Sequence, residues 1–225
     1  IGHTIHTPNP DLVPLVIEDS WVRELSGSTL SNVKVTFMNE SKRINVSGDI
    51  LCTHFGFSGP RIINTARQVK EMLALGRVVG WVDLFPTQDI GSLRKSFHDV
   101  CVHHANKAFK NAVSEFVSPH LASAVLQGFP EEIQNTKTHS VIREDRHRLV
   151  EKVKHMTFTV CGTKGYEWAI VSDGGVDLTE IDTRTMQSKI CPSVYVVGDM
   201  LNVNRQSGGF SLQLCWTTGF VAGDN

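Results

Sequence analysis

The stretch Val194–Trp216, VYVVGDMLNVNRQSGGFSLQLCW, decides the fold class of the chain. Its first four residues are β-branched or aromatic and predict a buried parallel strand over 194–197. Gly198-Asp199 ends that strand with a small residue and a carboxylate, and in open α/β sheets ligands bind beyond the carboxyl ends of the strands. Ser207-Gly208-Gly209 then leads into a helix predicted over 210–221. The free N–H groups at the start of that helix favour binding of an electron-rich group.

This order of elements resembles the C-terminal FAD-binding segment of flavoproteins that have two dinucleotide-binding domains. In those families the strand-end carboxylate binds a ribitol hydroxyl, and the next helix directs its N-terminus at the pyrimidine edge of the flavin. Two further stretches of the sequence point to one family among these flavoproteins. Residues 173–192, which contain DGGV, EID, TMQSK and a following proline, and residues 52–60, CTHFGFSGP, are similar to motifs of the HI0933-like flavoproteins. That family consists of predicted NAD(P)/FAD-dependent oxidoreductases.

The resemblance implies a FAD-binding site made of seven residues: Gly198, Asp199, Gly208, Gly209, Phe210, Ser211 and Leu212. Asp199 is the leading candidate, as the ribitol ligand, although a carboxylate after a strand is by itself an ordinary turn or cap residue. The family often has glutamate there, so Asp199 is one methylene shorter. The link Asn204–Gln206 departs from the family's more acidic, glycine-bearing loop. No catalytic acid, base or nucleophile stands out, and a flavin needs mainly placement and electrostatics from its protein.

The sequence lacks the G-x-G-x-x-G turn that binds the FAD pyrophosphate in such proteins, and it opens at Ile1. We therefore expect a piece of a longer flavoprotein, whose N-terminal FAD-binding half is a partner, and we expect the piece alone to purify without flavin. The whole protein is expected to transfer hydride through FAD between NAD(P)H and a small-molecule substrate. The alternative is a non-enzymatic binding module derived from a flavoprotein that has lost its nucleotide-binding half.

Composition places the chain among ordinary soluble proteins. The net charge is −1 and 40% of the residues are hydrophobic. The pI of about 6.9 argues against a generic nucleic-acid binder, and no apolar run approaches the ~20 residues of a membrane span. Five scattered cysteines form no C-x-x-C pair, which favours small buried thiols in a reducing compartment over disulfides or metal ligands. We expect a cytoplasmic protein with no nucleic-acid or membrane partner.

Histidines and basic residues suggest other sites that the spacing does not favour. His98, His103 and His104 lie on one predicted helix, but none of their separations is the i, i+4 spacing of a two-ligand helix face. We expect solvated surface histidines and no metal site. The basic residues of 143–154 alternate with carboxylates, which indicates a mixed charged face. Such a face could dock a partner domain.

Alternating patterns predict strands early in the chain. Residues 33–37 and 44–46 have the period of half-buried strands, with a hairpin turn at 39–41 between them, and the second strand continues to residue 52. Residues 12–17, around Pro14, predict an edge strand or one entered through a bend. Residues 1–10 resemble the family's connecting segment. In the 52–60 motif, Ser58 is a candidate helix cap and Pro60 lies near the first turn.

The later pattern alternates between the two periods. The apolar run Val78–Phe85 predicts a strand. One apolar stripe over 93–116 and shorter stripes over 121–126 and 142–156 then predict helices. Residues 157–161 and 168–171 again have the pattern of strands. The prediction is an α/β chain, mixed α+β in this piece. It comprises a β-rich, barrel-like domain (1–86 and 156–172), an inserted helical subdomain (87–155), and the C-terminal part of a Rossmann-like FAD-binding domain (173–225). The two β segments are expected to share one sheet or barrel.

Overall fold

The computed structural model describes all residues, 1–225. It contains ten strands: β1 (Ile5–Asp11), β2 (Leu15–Ile17), β3 (Thr29–Met38), β4 (Arg43–Thr53), β5 (Gly56–Ser58), β6 (Val78–Asp83), β7 (Met156–Thr163), β8 (Val171–Val176), β9 (Ile181–Asp182) and β10 (Gln187–Ser188). Six of them close a barrel in the order β2-β5-β4-β3-β6-β7. The prediction that the early and late β segments share one barrel is confirmed for β4 and β7, which both belong to it. The strand expected at 168–171 is not part of the barrel, because β8 begins only at Val171 and pairs with β1 in a separate two-stranded sheet.

Nine α-helices accompany the strands: α1 (Ser20–Glu24), α2 (Pro60–Ile63), α3 (Ala66–Leu75), α4 (Ile90–His103), α5 (Phe109–Val117), α6 (Pro119–Leu126), α7 (Glu131–Asn135), α8 (Arg143–Lys154) and α9 (Phe210–Gly223). Helices α4–α8 lie between β6 and β7 in the chain, as the helical periodicity indicated. The predicted single stripe over 93–116 is divided between α4 and α5. None of the helices is both long and apolar enough to cross a membrane.

The barrel interior is filled by aromatic side chains that meet edge to face. Phe158 on β7 lies between Phe37 and Phe57, and its ring centroid is 5.6 Å from that of Phe37 and 5.1 Å from that of Phe57. Gly80 on β6 makes this possible, since a Cβ there would lie 2.3 Å from the Thr36 carbonyl oxygen and 2.5 Å from Phe158. The alternating burial along β6 follows from the period of two that its sequence shows.

Helices α4–α8 pack on the barrel without a break in the core. One cluster of 36 buried hydrophobic residues includes both barrel side chains, such as Phe37, and helical ones, such as Phe97 and Leu149. Helix α4 starts at residue 90 because Asp89 caps it, accepting hydrogen bonds from the Gly91 and Ser92 amides at 2.8 and 3.0 Å. The division of the chain into domains stays a prediction.

The entry into the barrel corrects two expectations. Residues 1–10, expected as a connecting segment, supply all of β1 except its last residue, Asp11, and β1 pairs antiparallel with β8. Strand β2 is not an edge strand, because it pairs with β5 on one side and with β7 on the other. The bend alternative fits, since Leu12 turns the chain with a φ of 52° just before Pro14.

The hairpin turn at 39–41 was predicted correctly, whereas the residue that caps α2 was not. The hairpin at 39–41 is present, and the Asn39 side chain accepts hydrogen bonds from the Ser41 and Lys42 amides. The cap of α2 is Gly59 and not Ser58, because Ser58 is the last residue of β5 and pairs with Leu51. Pro60 is the first residue of that helix, as expected.

The predicted buried strand at 194–197 does not form. Only Tyr195 makes a bridge, antiparallel to Gln187, and no parallel strand neighbours the segment. A buried parallel strand requires parallel, hydrogen-bonded neighbours, and the segment has only an antiparallel contact with residues 186–188. Val196 is still buried, in a second cluster with Val176, Ile181, Met186 and Leu201, and Val194 and Val197 pack against that cluster.

Burial also corrects two residue-level expectations. His104 is buried, at 8% exposure, and its Nδ1 has no hydrogen-bond partner, so it is not a solvated surface histidine. Among the cysteines, Cys161 is exposed, since it points outward from β7. Cys52 and Cys101 are buried as expected, and burial raises the pKa of their thiols to about 12 and about 11. No cysteine forms a disulfide.

Candidate functional site

A cavity of about 290 Å³ lies at the start of α9. Five of the seven residues predicted to bind the cofactor line it: Asp199, Gly208, Gly209, Ser211 and Leu212. Leu12, Ile170 and Val171 add apolar lining. The structure therefore brings most of the predicted site together, although the strand expected to precede it is absent.

The first turn of α9 offers hydrogen-bond donors to this cavity. Gly209 is in the left-handed conformation, with a φ of 91°, and no side chain caps the helix. The first amide of α9 with a backbone acceptor is that of Gln213, which donates to the Gly209 carbonyl at 3.0 Å. The amides of residues 210–212 thus have no partner in the chain, and the positive end of the helix dipole lies here.

Glycine is needed at positions 208 and 209 because of the backbone conformation there, and not because a side chain would collide with another part of the chain. Both have positive φ, which side chains rarely tolerate, and a Cβ at either would meet nothing within 4 Å. The space beside them is open. A bound molecule can therefore approach the main chain closely at this turn.

Asp199 is held on one oxygen and free on the other. Its Oδ1 accepts a hydrogen bond from the Ser211 hydroxyl at 2.6 Å and lies 3.4 Å from Nη2 of Arg205. Its Oδ2 has no hydrogen bond, and the side chain is 52% exposed. The carboxylate is therefore oriented by the chain while one oxygen stays available as an acceptor.

Arg205 is the residue of this region that the sequence analysis missed. Its side chain is only 3% exposed, and its Nη2 donates to the Ser172 carbonyl at 3.0 Å. Its Nε and Nη1 are buried without any acceptor. Unpaired donors on a buried cation cost free energy, so they mark a place where an acceptor is missing. The sequence showed a polar link here and gave no sign that this arginine would be buried.

Gly198 and Phe210 lie outside the cavity. The Gly198 amide donates to the Thr218 hydroxyl at 2.9 Å, and a Cβ on Gly198 would lie 2.8 Å from Sγ of Cys215. The close approach that this glycine permits is thus to helix α9. Phe210 is 58% exposed and lines a neighbouring groove together with Arg205. A cofactor-binding role stays a prediction for all seven residues, including the five that line the cavity.

The second sequence motif, residues 52–60, leads to the same region. Helix α2 follows the motif, and Asn64 at its end accepts a hydrogen bond from the Ser207 amide at 2.8 Å. This contact fixes the turn that contains Gly208 and Gly209. No cluster of three or more His, Cys, Asp or Glu side chains in the structure is arranged to hold a metal ion.

Three curated proteins resemble this chain over nearly its whole length. A 3-dehydro-bile acid delta(4,6)-reductase from Clostridium scindens is 26% identical, over 99% of this chain and 54% of the relative. Ribosomal RNA dihydrouridine synthases from Escherichia coli and Haemophilus influenzae are each 25% identical, over 93% and 98% of this chain and 50% and 52% of the relative. The chain spans about half the length of these relatives.

A family model supplies the assignment. The model described as the HI0933-like protein barrel and H2TH domain matches residues 9–171. That range contains the closed barrel and all of the helices α4–α8. Since the match covers well over half of the chain, this protein belongs to the HI0933-like family.

Proposed function

We propose that this chain is the substrate-side and C-terminal FAD-binding portion of a flavin-dependent reductase. The observation that carries the proposal is the cavity at the uncapped start of α9, where Asp199, Gly208, Gly209, Ser211 and Leu212 meet. An oriented carboxylate, an open glycine turn and unpaired amides suit a ligand that has hydroxyl groups and an electron-rich edge. FAD has both.

The chain's own residues divide the work of holding such a cofactor. Asp199 would accept a hydrogen bond from a ribitol hydroxyl through Oδ2, while Ser211 and Arg205 keep the carboxylate in place. The amides of residues 210–212 would donate to electron-rich ring atoms, and their helix end favours negative charge there. When bound, FAD would supply the redox chemistry, a hydride transfer between a nicotinamide cofactor and the substrate.

Helix α9 supports the presence of a further half of the FAD-binding domain. Leu212, Trp216 and Phe220 are each more than half exposed along it. A helix that is apolar on all sides is normally buried. We infer that the N-terminal FAD-binding half covers this face in the longer protein, which agrees with relatives about twice as long.

The names of the relatives indicate one kind of chemistry on two kinds of substrate. A delta(4,6)-reductase of a 3-dehydro-bile acid and a dihydrouridine synthase both add hydrogen across a carbon–carbon double bond that is conjugated to a carbonyl. We propose the same reaction here. A small molecule is the first substrate candidate, and a uridine in RNA is the second because two of the three relatives act on ribosomal RNA.

The test is Asp199→Ala in the longer parent protein. A charge-assisted hydrogen bond contributes about 1.5–3 kcal/mol, so FAD affinity should fall about ten- to a hundredfold. Asp224→Ala is the matched control, because it removes an exposed carboxylate at the other end of α9. Flavin content and the thermal stability of the apo form are measured together. Unchanged flavin retention in Asp199→Ala contradicts the proposal, and a collapse of apo stability assigns Asp199 a structural role.

A second measurement separates the enzyme from the alternative, a non-enzymatic binding module. The 225-residue chain alone is expected to purify without flavin, because the pyrophosphate-binding turn is missing from its sequence. The longer protein is expected to contain flavin in stoichiometric amounts. Stoichiometric flavin absorbance in the short chain would contradict the expected division of the site between two halves. A longer protein without flavin would favour the binding module.

A further inference from the structure

A cleft of about 450 Å³ between α4 and α8 is lined mainly by basic side chains. It lies in the helical part of the chain, on different elements from the cavity at α9. Six of its eight lining residues are basic, and none is acidic: Arg94, Lys95, His98, Arg143, Arg146 and His147. The carboxylates Asp99, Glu144 and Asp145 occupy the same two helices but do not line the cleft.

Of the four lysine and arginine side chains that line the cleft, three have no carboxylate partner. Arg94 alone has a carboxylate partner, Glu151 at 2.8 Å, and its Nε is buried with no acceptor. Arg146 donates through Nε and Nη2 to the Val141 carbonyl, which carries no net charge. Arg143 donates to a ring nitrogen of His147 at 3.4 Å, and Lys95 makes no hydrogen bond or ion pair. A concave site with several unpaired cations attracts anions.

The local charge differs from that of the whole chain. Residues 87–155 contain ten of the 22 lysines and arginines, but only eight of the 23 aspartates and glutamates, and they hold seven of the ten histidines. The near-neutral total therefore conceals a basic region. A basic patch is the electrostatic footprint of nucleic-acid binding, and a single patch can be present in a chain whose total charge is near zero.

We propose that this cleft binds the phosphate groups of an RNA strand. Arg143 on α8 suits phosphate oxygens, because its two Nη groups make no hydrogen bond within the chain and a guanidinium can pair with such oxygens in a bidentate manner. Lys95 on α4 adds a second free positive charge. The choice of RNA over another phosphate carrier rests on the second substrate candidate proposed above. The binding itself needs no flavin, so it is tested without regard to the redox reaction.

The experiment measures binding of a fluorescently labelled single-stranded RNA of about 15 nucleotides to the full-length protein without flavin, at about 50 and 200 mM salt. The test variant is Lys95→Gln/Arg143→Gln. The control is Lys107→Gln/Lys137→Gln, which removes the same charge from exposed positions of the helical part outside the cleft. Thermal melting shows whether each variant is folded. If the double cleft variant is not folded, the single variant Lys95→Gln replaces it in the binding measurement.

We expect the cleft variant to bind RNA at least about fivefold more weakly at the lower salt concentration. The slope of log affinity against log salt should fall by about 1.4, for two lost phosphate contacts on a single strand. The control should change affinity by less than about twofold. Equal losses in both variants, or none in either, overturn the proposal. Binding of inorganic pyrophosphate in the cleft with no binding of RNA also overturns it, and assigns the cleft to a small phosphorylated ligand.

Discussion

The barrel with its helices and the C-terminal region differ in how much core each one contains. The barrel and the helices packed on it share 36 buried hydrophobic residues, whereas the region from the end of β8 onward has a separate cluster of five. Helix α9, the longest element of that region, buries only Thr218. Stability thus resides in the first part, and the predicted cofactor site lies on the second. The site is therefore carried by the region with the smaller core.

The largest expected effect comes from removing a side chain in the barrel interior. Phe158→Ala should lower the free energy of unfolding of the 225-residue chain by about 3–5 kcal/mol, because the ring is buried between Phe37 and Phe57. Urea denaturation measures the change. Phe220→Ala, which truncates a phenylalanine that is 74% exposed on α9, should change it by less than about 0.5 kcal/mol. Comparable losses in the two variants would contradict the contrast between the regions.

A smaller effect is expected from adding a single methyl group to the barrel. Gly80→Ala should cost about 1–3 kcal/mol, since its Cβ would overlap the Thr36 carbonyl oxygen and the Phe158 ring. Gly162→Ala on the neighbouring strand β7 is the control, because nothing lies within 4 Å of its Cβ. Thermal or urea unfolding compares them. Equal stability of the two variants would show that the barrel adjusts to the extra volume.

The small cluster can be tested by hydrogen exchange. Val196→Ala removes two buried methyl groups worth roughly 1–1.5 kcal/mol, so α9 amides should exchange about tenfold faster. The amides of β3 should be unaffected if the two regions open separately. Faster exchange of both sets, by the same factor, would instead show one cooperative unit. Leu30→Ala in the large core provides the reverse comparison, in which the β3 amides should exchange faster and the α9 amides should be unaffected.

The smallest effect concerns the carboxylate that joins β1 to the C-terminal region. Hydrogen bonds from Thr179 and from His6 lower the pKa of Asp177 from 3.8 to about 2. Because the folded-state value is depressed, the stabilisation is complete above about pH 4 and is lost as the pH falls through about 2.

Asp177→Asn should therefore lower the melting temperature slightly at pH 7, and the difference from the parent chain should narrow between pH 4 and pH 2. Asp224→Asn is the control, since that carboxylate makes no side-chain hydrogen bond. A difference that is constant from pH 7 to pH 2 would mean that the ionised form of Asp177 contributes nothing.

Regular patterns made the barrel and the helices predictable. Strands β3, β4, β6 and β7 alternate apolar and polar residues because one face of each lies in the core, and that period is visible in the sequence. The hairpin at Asn39 was predictable because its side chain forms the turn locally. In contrast, β1 is polar and contains two prolines, so only its partner β8 makes it a strand.

The candidate site was predictable in its local part only. The order Gly208, Gly209, helix is encoded within a few residues, and the cavity does form at that turn. The segment 194–197 has the composition of a buried parallel strand but no parallel neighbour, and composition alone cannot supply one. The burial of Arg205 and of His104 depends on contacts between distant segments, such as that of Arg205 with Ser172, and no local pattern reveals them.

The pairing of β1 with β8 has a consequence for biosynthesis. Strand β1 ends at Asp11 and its partner begins at Val171, so about 160 residues are made between them. At roughly 5–20 residues per second, the first strand waits on the order of 10–30 s on the ribosome for its partner, while the barrel is completed. Its prolines, Pro8 and Pro10, cannot donate backbone hydrogen bonds, and this protects the waiting strand from pairing with the wrong neighbour.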